Sequence, residues 1–157
     1  MKYSAIEYAA AEPLALRHSW PLFDQSRHLD LGQILNCAAI DAVQPSIVGE
    51  LGFQHSGCWE CDLSDQSLTW SGGVYDIFGL PRGSRVTRDQ AVAFYSEDSR
   101  QRMERLRSYA IRHKRGFTID VGIRPASGGA ERRVRLIGVP VFEGCRAVRL
   151  HGLKLIV

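Results

Sequence analysis

The stretch GCWECDLSDQSLTWSGGVYDIFGLP, residues 57–81, decides how the rest of the chain is read. Its first run alternates. Trp59, Cys61 and Leu63 fall on one face of a strand, and Cys58, Glu60 and Asp62 fall on the other. A polar break at Ser64, Asp65 and Gln66 follows, then a second run in which Leu68 and Trp70 share a face. Two such runs around a short polar turn spell a β-hairpin. Val74, Ile77 and Phe78 then stand at i, i+3 and i+4, the spacing of a short helix, which Gly79 and Pro81 stop.

This order resembles the opening of a PAS sensory domain, in the subgroup that begins G-x-W-E-x-D and runs through a W-S pair to a Y-x-I-F-G-L-P helix. Gly57, Trp59, Glu60, Asp62, Leu63, Trp70, Ser71, Tyr75, Ile77, Phe78, Gly79, Leu80 and Pro81 carry the resemblance. Further on, Gly129, Arg132, Val134, Gly138, Pro140, Gly144, Leu150 and Gly152 match parts of the family's later strands. Arg133 stands where a Trp is usual, and Gly122 where an Arg is usual. Of the family's V-H-P-D-D-R helix start, only Asp98 and Arg100 are present. The resemblance covers roughly residues 45–157. It implies an α+β fold, a five-stranded antiparallel sheet with short helices over one face, and a helix within 45–55 leading into the first strand.

The pattern of the remaining residues agrees with that outline. Thr87 is a good N-cap for a short helix through Ala91, Val92, Phe94 and Tyr95. Met103, Leu106, Ala110 and Ile111 make the apolar stripe of a longer helix, which Gly116 is expected to end. Phe117, Ile119, Val121 and Ile123 alternate as a strand. Turns at 125–129 and at Glu143 and Gly144 separate it from strands at about 132–142 and 146–157.

Residues 1–44 lie outside the resemblance and read as an N-terminal helical extension to a PAS domain at 45–157. Ser4 and Glu7 fit a capping box. A second helix starts near Asp30, carries Leu31, Ile34, Leu35, Ala38 and Val43 on one stripe, and must stop before Pro45. Such a helix needs cover for its apolar side; it can pack back on the domain or against a second copy, and the second, a homodimer, is favoured. The net charge of +3 is too small to argue for nucleic acid on its own. Glu7 and Glu12 interrupt any leader-like apolar run, and no run approaches the ~20 residues of a membrane span. The chain is therefore expected in the cytoplasm, with its four cysteines, Cys37, Cys58, Cys61 and Cys145, as reduced thiols.

Chemistry-bearing patterns are few. His55, Cys58 and Cys61 have metal-like spacing, but strand residues three apart point to opposite faces, so Cys58 and Cys61 cannot share an ion and no metal site is expected. The reactive-cysteine N-C-R-F-L-Q run of light-sensing flavin domains does not occur. Haem would need an axial ligand. Met103 reads as core and His113 as solvated among Arg112, Lys114 and Arg115, so no cofactor is expected. Arg100, Arg102, Arg105, Arg107, Arg112, Lys114 and Arg115 make the long helix basic, without aromatic interleaving; a nucleic-acid-binding accessory is kept as an alternative. Nucleophile-elbow, phosphate-loop and zinc-protease motifs do not occur, so no catalytic activity is expected.

The resemblance thus implies a sensory or protein-interaction module that acts by a conformational or dimer-interface change. Its output would pass in trans to a signalling protein such as a kinase or cyclase. A small-molecule sensor is the alternative, with the ligand between sheet and helices. Trp70, Tyr75, Phe78, Phe94, Tyr95, Met103, Phe117, Ile119 and Leu136 are the residues expected near such a ligand, and they would serve equally as a filled core.

Overall fold

The computed structural model describes residues 18–29 and 56–157. The elements in order are β1 (Ser19–Pro21), a 3-10 turn (Leu22–Asp24), α1 (Gln25–Leu29), β2 (Ser56–Asp62), β3 (Leu68–Trp70), α2 (Gly72–Phe78), α3 (Arg88–Ala93), α4 (Glu97–His113), β4 (Arg115–Ile123), β5 (Arg132–Glu143) and β6 (Arg146–Ile156). The strands form one sheet in the order β1-β4-β5-β6-β2-β3, every neighbouring pair antiparallel.

The hairpin forms as its alternation dictates, with Trp59 opposite Trp70 and Cys61 opposite Leu68. The serine of the W-S pair then ties the next element down. Ser71 is buried, its Oγ accepts from the Cys58 N–H at 2.9 Å, and its own N–H donates to the Cys58 carbonyl at 3.0 Å. Chain direction is thus fixed at the entry to α2, whose Val74, Ile77 and Phe78 are fully buried. Gly79 ends the helix at φ +68°, a backbone region that costs a residue with a Cβ. α3 opens with a complete capping box between Thr87 and Gln90.

Two differences from the expected outline have clear causes. The sheet has six strands and not five, because residues 19–21 add a strand to the free edge of β4. Part of the segment read as a helical extension is therefore extended chain. The helix expected at 31–43, its dimer contact and the helix within 45–55 lie outside the described residues. The long helix ends on Lys114, at φ +55°, and not on Gly116. Gly116 belongs to β4, where its missing side chain makes room for the Trp20 ring; a Cβ there would lie 2.2 Å from that ring.

The sheet is covered on both faces. The inner cluster joins Trp59, Cys61, Trp70, Phe117, Ile119, Val121, Leu136 and Leu150 to Val74, Ile77, Phe78, Met103 and Leu106 of the helices. A smaller outer cluster holds Trp20, Cys58, Ile137, Val139, Leu153 and Leu155, with Leu22 and Leu29 against it. Trp20 Nε1 donates to Thr118 Oγ1 at 3.0 Å, and Arg115 Nε donates to Ser19 Oγ at 2.8 Å, pinning β1 to the sheet edge. Among the described residues no helix is long and apolar enough to cross a membrane.

Gly116→Ala should therefore dislodge the Trp20 ring and loosen β1, at a cost of about 1–3 kcal/mol from overpacking. Hydrogen exchange is expected to accelerate across 19–21 while 56–62 keeps its protection. Unchanged exchange at 19–21 would mean that β1 does not depend on this contact.

Candidate functional site

The inner face of the sheet is organised in rows of paired residues. One row runs Phe117, Gly138, Gly152, Trp59, and the next runs Ile119, Leu136, Lys154, Gly57. Glycines fill the middle of the first row, so the Phe117 ring leans over Gly138, where a Cβ would come within 2.4 Å of it. Above this thinly covered part of the sheet lies a cavity of about 60 Å³. The sheet lines it with Trp59, Cys61, Leu68, Trp70, Phe117, Leu136 and Lys154, and the helical side with Arg88, Ala91, Val92, Tyr95, Met103 and Arg107. Leu68, Trp70, Arg88 and Arg107 also line a wider groove of about 860 Å³, which runs along the 65–68 turn and residues 83–89. These four residues form a wall shared by the two spaces.

Lys154 is the unexpected member of this lining. It is 6% exposed, and its Nζ lies 4.6 Å from the Trp59 ring centroid, 5.6 Å from Phe78 and 5.8 Å from Trp70. No hydrogen bond or ion pair to Nζ is made among the described residues. The electron-rich ring faces offset part of the cost of burying the charge, but burial still pushes the amine down to about 7. The other polar groups nearby are better satisfied. Arg88 forms an ion pair with Glu104. Arg107 donates from Nη2 to the neutral Gln66 Oε1 at 3.0 Å, and burial lowers its affinity for its proton, with the Arg88 charge adding to the effect. Burial also pushes the Cys61 thiol and the Tyr95 phenol up, so both are kept neutral.

No protein-family model matches the sequence, and no curated protein sequence matches it. Solved structures are similar to it. A sensory box histidine kinase/response regulator from Burkholderia thailandensis E264 aligns over 73% of this chain and 85% of that one, at 18% identity and a TM-score of 0.57. The N-terminal domain of a diguanylate cyclase with PAS/PAC sensor from Marinobacter aquaeolei aligns over 64% and 94%, at 11% identity and a TM-score of 0.58. An RNA-binding light-oxygen-voltage receptor aligns over 65% of this chain and 29% of its own, at 14% identity and a TM-score of 0.57, so this chain matches under a third of that receptor. The fold is that of a PAS domain.

On this PAS scaffold the residues expected near a ligand divide into three groups. Trp70, Tyr95, Met103, Phe117 and Leu136 line the cavity. Tyr75 lines the outer groove with Trp70, and its hydroxyl donates to the Ser84 carbonyl at 3.0 Å. Phe78, Phe94 and Ile119 pack behind the lining, Phe78 stacked on Trp70 at 4.6 Å and Phe94 edge-on to Phe78 at 5.8 Å. Lys154, Arg88 and Arg107 were not anticipated. Arg107 reads as one charge of a solvated helix face, yet its side chain turns inward over Cys61 and Gln66.

The remaining candidates are also placed. Cys58 faces the outer cluster and Cys61 the inner one, as strand alternation requires. Cys58 is disulfide-bonded, whereas Cys61 and Cys145 are free. The expectation of reduced thiols throughout is corrected at Cys58, because compartment sets redox conditions while pairing depends on which cysteines meet. Among the described residues no cluster of His, Cys, Asp or Glu could hold a metal ion. Met103 is core, and His113 is exposed beside the Tyr109 ring. Arg115 belongs to β4 and not to the long helix, and Arg102 pairs with Asp98 at 3.2 Å.

Lys154→Met keeps an unbranched side chain, one atom shorter, and removes its charge. The folded-state amine holds its proton less tightly than the unfolded one. That cost is therefore fully present below about pH 7 and fades as pH rises toward about 10.4, where the unfolded lysine also deprotonates. The variant should be more stable than the parent by on the order of 3 kcal/mol at neutral pH, with a smaller gap near about pH 10. Urea unfolding at the two pH values measures the gap, and an unchanging gap would place the amine in water.

Proposed function

We propose that this chain is a sensory PAS module whose input is a small molecule taken into the inner cavity. The observation that carries the reading is the cavity itself, walled by aromatic rings and by a buried ammonium that lacks an acceptor among the described residues. A filled core needs neither feature. The similar solved structures include a sensory kinase and a diguanylate cyclase with a PAS/PAC sensor, which agrees with a signalling role.

A route for the output follows from Phe117. Its ring lines the cavity, while its backbone pairs with Ser19 of β1. The next residue, Thr118, receives the Trp20 indole and His18 Nδ1. Repacking of the Phe117 ring on ligand uptake would shift the balance between docked and loosened β1, with a coupling of about 1–3 kcal/mol typical of such devices. We infer that the N-terminal segment carries this change to a homodimer contact or to a signalling partner, such as a kinase or cyclase, in trans. Cytoplasmic placement and the absence of catalysis by the chain itself belong to the same proposal. The basic-helix alternative is weakened by Arg102, which is paired, and by Arg107, which turns inward.

Native mass spectrometry of the full chain, dialysed against a small-molecule cell extract, is expected to show an added mass that denaturation releases. Hydrogen exchange on the same sample should slow both around the cavity and across 19–29. No added mass would sink the sensor reading, and protection confined to the cavity walls would sink the Phe117 route.

A further inference from the structure

We propose that the inner cavity takes a short-chain aliphatic carboxylate, with its charge on Lys154 Nζ and its hydrocarbon body against Trp59, Trp70 and Met103. The proposal rests on the small-molecule reading above and narrows it to one chemical class.

The first ground is charge. Lys154 is more than nine-tenths buried and lines the cavity, with Nζ over the Trp59 and Trp70 rings and no hydrogen bond or ion pair among the described residues. A buried charge is ordinarily paired. The lining contains two further cations, Arg88 and Arg107, and no carboxylate. Glu104 is engaged by Arg88, and Asp65 and Asp89 line the outer groove, not the cavity. Arg107 rests on two neutral groups, the Gln66 amide oxygen and the Cys61 thiol. An incoming carboxylate would supply the missing partner.

The second ground is the chemistry of the walls. Trp59, Leu68, Trp70, Met103, Phe117 and Leu136 offer apolar surface. A strongly hydrated inorganic anion would lose its water there and gain too few donors in return. An anion with a hydrocarbon body suits both the rings and the ammonium.

The third ground is size. The cavity, about 60 Å³, exceeds the ~10–15 Å³ that one water needs and falls below the ~150 Å³ engineered cavity that takes a benzene ring. An acid of roughly two to four carbons, no larger than benzene, fits that interval. The shared wall of Leu68, Trp70, Arg88 and Arg107 marks the side from which it would enter.

Affinity should also depend on pH. The titratable and charged groups that share the lining with Lys154 are Cys61 from β2, Arg88 from α3, Tyr95 after α3 and Arg107 from α4, with Glu104 paired to Arg88. Burial raises both Cys61 and Tyr95, so neither becomes an anion that could compete for the ammonium near neutrality. Burial lowers Lys154 to about 7, so a carboxylate binds with proton uptake and weakens as the solution becomes alkaline.

The test is calorimetric titration of the full chain with straight and branched acids of roughly two to four carbons, each beside its neutral amide, and with inorganic phosphate. At least one acid should bind about tenfold or more tighter than its amide, and should weaken between about pH 6.5 and about pH 8.5. The same acid should lose about tenfold or more on Lys154→Met. The acid-to-amide comparison on the unmodified chain keeps the proposal falsifiable whatever the variant does. Equal binding of acid and amide, or undiminished binding to Lys154→Met, overturns the carboxylate assignment and leaves the sensor reading standing. Binding of phosphate alone overturns the organic class. If no acid, amide or phosphate binds, the carboxylate assignment is overturned, and an added mass in the cell-extract experiment then decides whether the sensor reading falls with it.

Discussion

The ladder between β2 and β6 is the constraint on which the rest depends. It joins the first strand of the PAS unit to its last, from Ser56 opposite Leu155 to Asp62 opposite Arg149. That register sets Lys154 opposite Gly57 and diagonally beside Trp59 on the inner face. A slip of one residue would exchange the faces, placing Leu153 and Leu155 over the cavity and the lysine on the other side. The Trp59 indole, which reaches the Leu153 carbonyl at 3.4 Å, helps to hold the register in place. The polarity of the cavity is therefore a consequence of strand pairing, and not of any local motif.

The same pairing explains why a sheet with two covered faces can couple them. Along β4 and β5 alternate residues serve opposite layers. Phe117 and Leu136 face the cavity, while Ile137 and Val139 meet Trp20 and its neighbours. β1 closes the free edge of β4 and lays Trp20 across Gly116. Packed layers move in discrete steps and transmit strain, so a change in the Phe117 ring has a short physical route to the N-terminal segment.

Much of this architecture was legible in the sequence. The alternation at 58–63 and 68–70, the i, i+3, i+4 stripe at Val74, Ile77 and Phe78, and the stop at Gly79 follow from period and turn chemistry alone, and the folded chain keeps them. Three features were not legible. Residues 19–21 include Pro21 and are too short to show a period, so their strand is set by the β4 edge that they meet. Gly116 looks like a helix stop because the need for space beneath Trp20 has no local signature. Lys154 lies between Leu153 and Leu155, a pattern that ordinarily places the lysine in water. Here both leucines are claimed by the outer cluster, and the opposite face of the strand is also buried. Binary patterning fails where a sheet is covered on both sides.

A buried ammonium without an acceptor among the described residues forms one pole of the cavity. Side-chain NMR of Lys154, titrated with pH, tests it most directly. The amine should titrate near about 7, with ε-protons shifted by the surrounding indole and phenyl rings. Titration at the ordinary lysine value of about 10.4, without ring-current shifts, would put the side chain in solvent and contradict it.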